Sequence, residues 1–313
     1  MEDKLYWYWL SAISGISCRK QHQLMKVFLH PKELFLTPSH IIEEKITRKI
    51  LPRFLESRKE DLIQKSYDAL EKQQIQFLLY NETEYPRRLK KIYDYPYGMF
   101  RKGQAWEEKA LTIAVVGSRN PTAYGMEVTK YLSRELTKLG VGIVSGLAKG
   151  IDGAAHRGAC IIQGSTVGIL GCGIDRIYPW DNYQLFYEMY ETQTVFSEYP
   201  PGTAPNPWRF PERNRIISGM SDGILVTEAE EKSGSLITAD LGLEQNKEIF
   251  AVPGPITSKK HEDCHGLIKQ GAKLTETVED ILSEFPNFTK SSKNIRHFQK
   301  KSLAKPEKKV YDV

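Results

Sequence analysis

Residues 143–159 read IVSGLAKGIDGAAHRGA. A β-branched pair runs into a turn holding Gly146, Lys149 and Gly150, and Asp152 then opens an alanine-rich run of helical character. Glycine loses more conformational freedom on folding than any other residue. Several of them around one turn therefore signal positive φ or a close approach to the backbone. The strand, glycine turn, helix order recurs on both sides. Short apolar runs, LTIAVVG (111–117), VGIVSG (141–146), STVGILG (165–171), QTVFSE (193–198), DGILVTE (222–228) and KEIFAVPG (247–254), alternate with longer helical stretches. Buried parallel strands read as continuous apolar runs, with helices as crossovers. The pattern predicts an α/β fold with a doubly wound, mostly parallel sheet, whose ligands bind beyond the carboxyl ends of the strands.

The surrounding chain has 313 residues, enough for about two domains. Residues 1–80 repeat apolar positions at helical spacing, as in DKLYWYWLSAI and SHIIEEKITRKILPRFLES, and predict a small helical domain. Tyr6, Trp7, Tyr8 and Trp9 fit its core better than a base-stacking face. Residues 81–285 hold the α/β domain. The tail, 286–313, carries eight Lys or Arg against two acids, which leaves residues 1–285 near −1 out of a net +5. Such a polar, basic segment is expected to be disordered. A polyanion site in the folded part must then be a local patch. No run approaches the roughly 18 apolar residues of a membrane span, and the acidic start does not suit a secretory signal. A cytoplasmic protein is expected. Cys18, Cys160, Cys172 and Cys264 are widely spaced, which suits reduced thiols rather than zinc or disulfides.

The unusual residues gather in the loops after the strands. VVGSRNPTAYG supplies Gly117, Ser118 and Arg119 ahead of a helix, where an arginine beside free N–H groups suits a phosphate. The loop lacks both the G-x-G-x-x-G and the G-x-x-x-x-G-K-[ST] signatures, so no NAD, ATP or other cofactor is expected. Gly146, Lys149 and Gly150 form a second anion nest. Asp152 and His156, four apart, share a helical face, where a structural pairing is commoner than an acid–base couple. GCGIDRIYPWDN brings Arg176 and Trp180, and Trp180 suits either base stacking or packing under its loop. RFPERNRIISG, read as a basic loop, brings Arg213, Asn214 and Arg215, and SGSLITA adds Ser233 and Ser235.

Taken in order, VGSRNPTAYG, SGLAKGIDGAAHRGA, GCGIDRIYP, SEYPPG, FPERNRIISG, EAEEKSGSLITA, FAVPGPI and LIKQGA resemble the motif set of the DNA-processing protein A family, DprA or Smf, over about residues 80–285. The resemblance implies an extended Rossmann-like domain behind a small all-helical, SAM-like domain. It implies a non-catalytic protein that binds single-stranded DNA, protects incoming DNA in natural transformation and helps load the RecA recombinase in homologous recombination. Arg119 is the DNA contact the resemblance carries most directly; Lys149 and the FPERNRIISG arginines rest on electrostatics. It also implies a homodimer, with His265, Leu267, Ile268 and Leu274 expected at the interface. Some family members carry a C-terminal winged helix, which the polar tail is not expected to form. Two other readings stand beside it: a nucleotide N-glycosidase-like enzyme with Glu228 as the acid, although the P-G-G-x-G-T-x-x-E motif is missing, and a small-nucleotide sensor.

Overall fold

The computed structural model describes residues 1–229 and 233–291. The first segment is helical: α1 (Asp3–Ala12), α2 (Cys18–Phe28), α3 (Pro31–Leu36), α4 (Ser39–Glu43), α5 (Leu51–Glu56) and α6 (Glu60–Lys72). Six consecutive residues of α1, Leu5 to Leu10, are buried, so this helix is apolar on every side and lies inside the segment. Trp9 meets Phe35 and Phe54 at ring distances of 5.0 and 5.4 Å, and its indole N–H donates to Ser57 Oγ at 2.8 Å. Burial with a satisfied N–H is what a large amphipathic ring requires.

The remaining elements are β1 (Gln76–Leu79), β2 (Gly98–Gly103), β3 (Thr112–Val116), α7 (Ala123–Lys138), β4 (Gly142–Ser145), α8 (Ile151–Cys160), β5 (Thr166–Leu170), α9 (Tyr183–Thr192), β6 (Thr194–Ser197), α10 (Arg209–Gly219), β7 (Gly223–Val226), α11 (Gly234–Glu244), β8 (Glu248–Ala251), α12 (Glu262–Lys269), β9 (Lys273–Leu274), α13 (Val278–Ser283) and α14 (Pro286–Ser291). The strands form one sheet in the order β1-β2-β6-β5-β4-β3-β7-β8-β9. From β6 to β9 all pairs are parallel, while β1 and β2 add an antiparallel edge. The α/β, mostly parallel sheet predicted from the apolar runs is the observed architecture.

Strand alternation supplies two cores. Ile113 and Val115 pack with Leu132 and Leu136 of α7 and with Ala155 of α8. Ala114 and Val116 pack on the other face with Ile216 and Ile217 of α10 and Ala239 of α11. The chain winds outward from β3 through β4, β5 and β6, then returns along α10 to β7 on the other side of β3. The loops leaving β3 and β7 therefore diverge to opposite faces, which opens a crevice at the carboxyl ends of these two strands.

Three details depart from expectation. The stretch 76–79, inside the segment expected to be helical, is a sheet strand paired with β2. RFPERNRIISG is a helix, α10, not a loop; Pro211 stands in its first turn, where its missing N–H costs nothing. Of the tail expected to be disordered, residues 286–291 form α14, and the rest lies outside the described residues.

Candidate functional site

The crevice is a cleft of about 420 Å³. Its walls are the β3 loop (Gly117, Ser118, Arg119, Asn120), Ala148 and Asp152, one side of α10 (Phe210, Arg213, Asn214) and the start of α11 (Ser233, Gly234, Ser235, Thr238). The β3 loop is held from behind. Ser118 N–H donates to Glu228 O at 2.6 Å, and Ser118 O accepts from Ile151 N–H at 3.1 Å. Asn120 N–H donates to Ser118 Oγ at 3.1 Å, and Thr122 caps α7 by accepting from Gly125 N–H at 3.1 Å. Arg119 extends outward, exposed, with its guanidinium 5.2 Å from the Phe210 ring centre. It has no carboxylate partner within 4 Å among the described residues. Opposite it, Ser233 caps α11 by accepting from Ser235 N–H at 3.2 Å, and the two hydroxyls touch. A helix start with hydroxyls, facing an open arginine, presents donors to an anion.

The glycines have a different reason from the one expected. The sequence expects them to form an anion nest. A Cβ on Gly146 would overlap the Arg213 guanidinium and the Asp152 carboxylate, and one on Gly117 would come within 2.7 Å of Glu228 O and Ile151. Gly150 has φ +82° and faces Ser118 O, so a side chain there is both strained and obstructed. These three glycines seat protein groups. Gly234, by contrast, has open space where a Cβ would stand, on the cleft wall.

The basic residues divide. Arg213 is 3% exposed, and its Nη1 donates to Gly146 O at 2.7 Å and to Ile169 O. Burial lowers its pKa against the opposing pull of Asp152. Burial raises the Asp152 carboxyl against the pull of Arg213, while Gly146 N–H donates to Asp152 Oδ2 at 3.1 Å. Arg215 lies on the other side of α10, away from the cleft, where Nη2 donates to both Glu198 oxygens at 2.5 and 2.6 Å and Nε stands 3.7 Å from Asp94. Burial works against its charge, but Glu198 and Asp94 hold the pKa above the ordinary arginine value. Arg213 thus braces the cleft from within and Arg215 serves an internal ion network; neither presents a free charge.

Beside the cleft lies a smaller hollow of about 220 Å³ lined by Arg119, Gly146, Lys149, Tyr178 and Phe210. The Tyr178 and Phe210 rings stack in it, 5.5 Å apart. Lys149 is exposed and forms a 3.2 Å ion pair with Asp181. Trp180 is 68% exposed, so it does not pack under its loop. Arg176 is exposed and stands 3.8 Å from Asp175; neither Arg176 nor Trp180 lines the cleft or the hollow.

His156 is fully buried, with Nδ1 2.7 Å from Thr166 Oγ1. Burial, then Arg157 and Arg213, lower its pKa to about 3. Glu228 is also fully buried, and its Oε2 accepts from Thr122 N–H at 2.8 Å behind the cleft. The four residues expected at a dimer interface lie across the sheet near β9. His265 Nε2 is 3.0 Å from Gly254 O, Leu267 is buried, Ile268 packs partly on the same core, and Leu274 is 43% exposed on the edge strand. The sequence does not single out Phe210, which joins cleft and hollow; its one signal is its place three residues before Arg213 in FPERN. Among the described residues no helix is long and apolar enough to cross a membrane.

The model of the family described as DNA recombination-mediator protein A matches residues 76–286. The DNA processing protein DprA of Bacillus subtilis is 45% identical over 219 residues, 70% of this chain and 74% of that protein. The DNA processing protein DprA of Streptococcus pneumoniae is 43% identical over 205 residues, 64% and 71% of the two chains. The crystal structure of the Streptococcus pneumoniae protein superposes with a TM-score of 0.78 at 33% identity, covering 91% of this chain and 99% of that one. A structure of DNA processing protein A from Helicobacter pylori, described for its single-stranded DNA binding mode, gives a TM-score of 0.61 at 28% identity over 68% and 96%.

Proposed function

We propose a function from one premise: the chain belongs to the DNA recombination-mediator protein A family. It binds single-stranded DNA in the cleft at the switch point, with a phosphate between Arg119 and the start of α11. The observation that carries this reading is the exposed Arg119, without a carboxylate partner among the described residues, lining one open crevice with the Ser233–Ser235 helix start. The Helicobacter pylori relative is described as binding a single strand, which supports the same ligand here. Gly117, Ser118 and Asn214 complete the walls, and the Tyr178–Phe210 hollow accepts a base next to that phosphate. Lys149, above this hollow, adds charge once it parts from Asp181.

The role that follows is the family's. The protein acts in the cytoplasm as a homodimer, without a cofactor. It covers incoming DNA during natural transformation and hands it to the RecA recombinase. Leu274, exposed on the β9 edge, is the residue of the expected interface best placed to meet a second copy. A binding role agrees with the position of Glu228: the acid that a glycosidase reading needs is fully buried behind the loop, where its Oε2 accepts from Thr122 N–H.

Fluorescence anisotropy with labelled single strands, duplex and free nucleotides over a salt series tests the reading. Single strands are expected to bind in preference to duplex, because a crevice beside a hollow lined by Tyr178 and Phe210 suits a flexible strand with free bases. Equal or tighter duplex binding at matched salt overturns it, and binding of mononucleotides alone supports the sensor instead.

A further inference from the structure

The turn Trp180–Asn182 and the first half of α9 display three exposed aromatic residues in a row. Trp180 and Tyr183 stack with ring centres 5.5 Å apart and planes 15° from parallel. Tyr183 and Tyr187 stand four residues apart on one helix and so share a face. Tyr187 is 56% exposed. Single surface aromatics are ordinary, whereas an aligned set in water marks a contact surface.

This row is fastened to the glycine loop. Asn182 is 3% exposed, and its Nδ2 donates to Leu147 O at 3.1 Å and Ala148 O at 2.9 Å. Its Oδ1 accepts from Arg157 Nη2 at 2.9 Å. The amide is fully used in holding the aromatic turn against residues 147–148, and the Lys149–Asp181 pair spans the same junction. Arg119 and Ala148 line both cleft and hollow, and Lys149 lines the hollow. Cleft and hollow therefore share Arg119 and Ala148, and the aromatic row is anchored on the loop that lines the hollow.

We propose that Trp180, Tyr183 and Tyr187 form a stacking rail along which a single strand leaves the cleft, its bases laid on the rings. The inference rests on the single-strand reading and extends it beyond the crevice. The chemistry favours bases over phosphates as the contact, because α9 contains no Lys or Arg and carries Glu188 and Glu191. The strand's backbone must then face solvent. The Trp180 and Tyr183 ring centres stand 5.5 Å apart, and Tyr187 follows about one helical turn beyond Tyr183.

Binding of oligothymidylates from about 4 to about 16 nucleotides, to the wild type and to Tyr183→Ala, Tyr187→Ala and Trp180→Ala, tests this. The side chains are largely exposed, so the variants should fold, which circular dichroism verifies. Strands that fill only the cleft should bind all proteins alike. Longer strands should bind each variant about tenfold more weakly, at low and high salt alike. They should also quench the wild-type tryptophan fluorescence more than that of Trp180→Ala. Equal losses for short and long strands, no loss at all, or a change in self-association in place of affinity overturns the rail. Short-strand binding that depends on Arg119 while long strands ignore the three rings overturns the rail alone. Failure of the wild type to bind any strand overturns the single-strand reading as well.

Discussion

Arg119 and Arg215 come from loops and helices that look equally basic in sequence, yet one faces water beside a crevice and the other is locked between Glu198 and Asp94. The difference lies in what each must satisfy. A buried guanidinium needs carboxylates and carbonyls around it, and removing one member leaves an uncompensated charge. An exposed guanidinium has already met its solvation needs in water and remains free to exchange water for a phosphate. Arg213 stands between them: it lines the cleft, yet it is buried and its Nη1 donates to Gly146 O and Ile169 O. A basic motif therefore divides into parts that make the site and parts that meet the ligand.

The largest effect should come from breaking the buried side. Arg215→Leu is expected to destabilise the fold by about 3–5 kcal/mol in denaturant unfolding, because Glu198 loses both hydrogen bonds from Arg215 and its partner charge. Adding Glu198→Gln should recover much of that loss. Full wild-type stability of the single variant would place Arg215 with Arg119 instead.

Arginine does not titrate in the accessible range, so the pH signature of this interior comes from His156 and, with the opposite sign, from the raised Asp152 carboxyl. The folded pKa of His156 is lowered to about 3, against an ordinary value near 6.5. Between these values the unfolded chain takes a proton that the folded chain refuses. Stability contributed by the neutral ring is therefore complete above about 6.5 and lost as the pH falls toward 3, with a slope of up to about 1.4 kcal/mol per pH unit. His156→Asn should flatten that part of a pH-dependent unfolding series. An unchanged slope would show that the ring is solvated.

The exposed side should respond in binding and not in stability. Arg119→Ala should leave the unfolding midpoint unchanged, weaken single-strand affinity about tenfold, and reduce the slope of log affinity against log salt by about 0.7. An unchanged slope in a folded variant would move Arg119 to the structural side. The smallest effect concerns Lys149. Asp181→Asn releases it from a surface pair worth about 1 kcal/mol or less, so single strands should bind a few-fold tighter at low salt and equally at high salt. Weaker binding would mean that Asp181 serves by positioning Lys149.

The sheet was legible because its signal is local. Each central strand is a continuous apolar run, and LTIAVVG or DGILVTE needs no partner to be recognised. The loops of the site were legible for the same reason, since Arg119 and Ser233 follow directly on strands or precede helices. What the sequence concealed depends on distant partners. Asp94 and Glu198, which draw Arg215 inward, lie 121 and 17 residues from it along the chain. The purpose of Gly146 is visible only when Arg213, 67 residues on, is seen in the space a Cβ would take. Trp180 left both readings open because exposure is decided by Tyr183 and Asn182, whose stacking and hydrogen bonds have no sequence signature.

The apolar cluster that surrounds α1 does not stop at the helical segment. It runs through Phe77 and Phe100 of the antiparallel edge to Leu185 and Phe186 of α9, and reaches Leu147 in the glycine loop itself. The cluster is continuous across the two halves, with Lys4–Glu82 and Arg19–Asp94 pairing beside it. Melting the amino-terminal helices would wet the underside of that loop, so the molecule should lose its structure in one cooperative step. By the same linkage, a ligand that steadies the loop slows amide hydrogen exchange in α1, a helix it never touches.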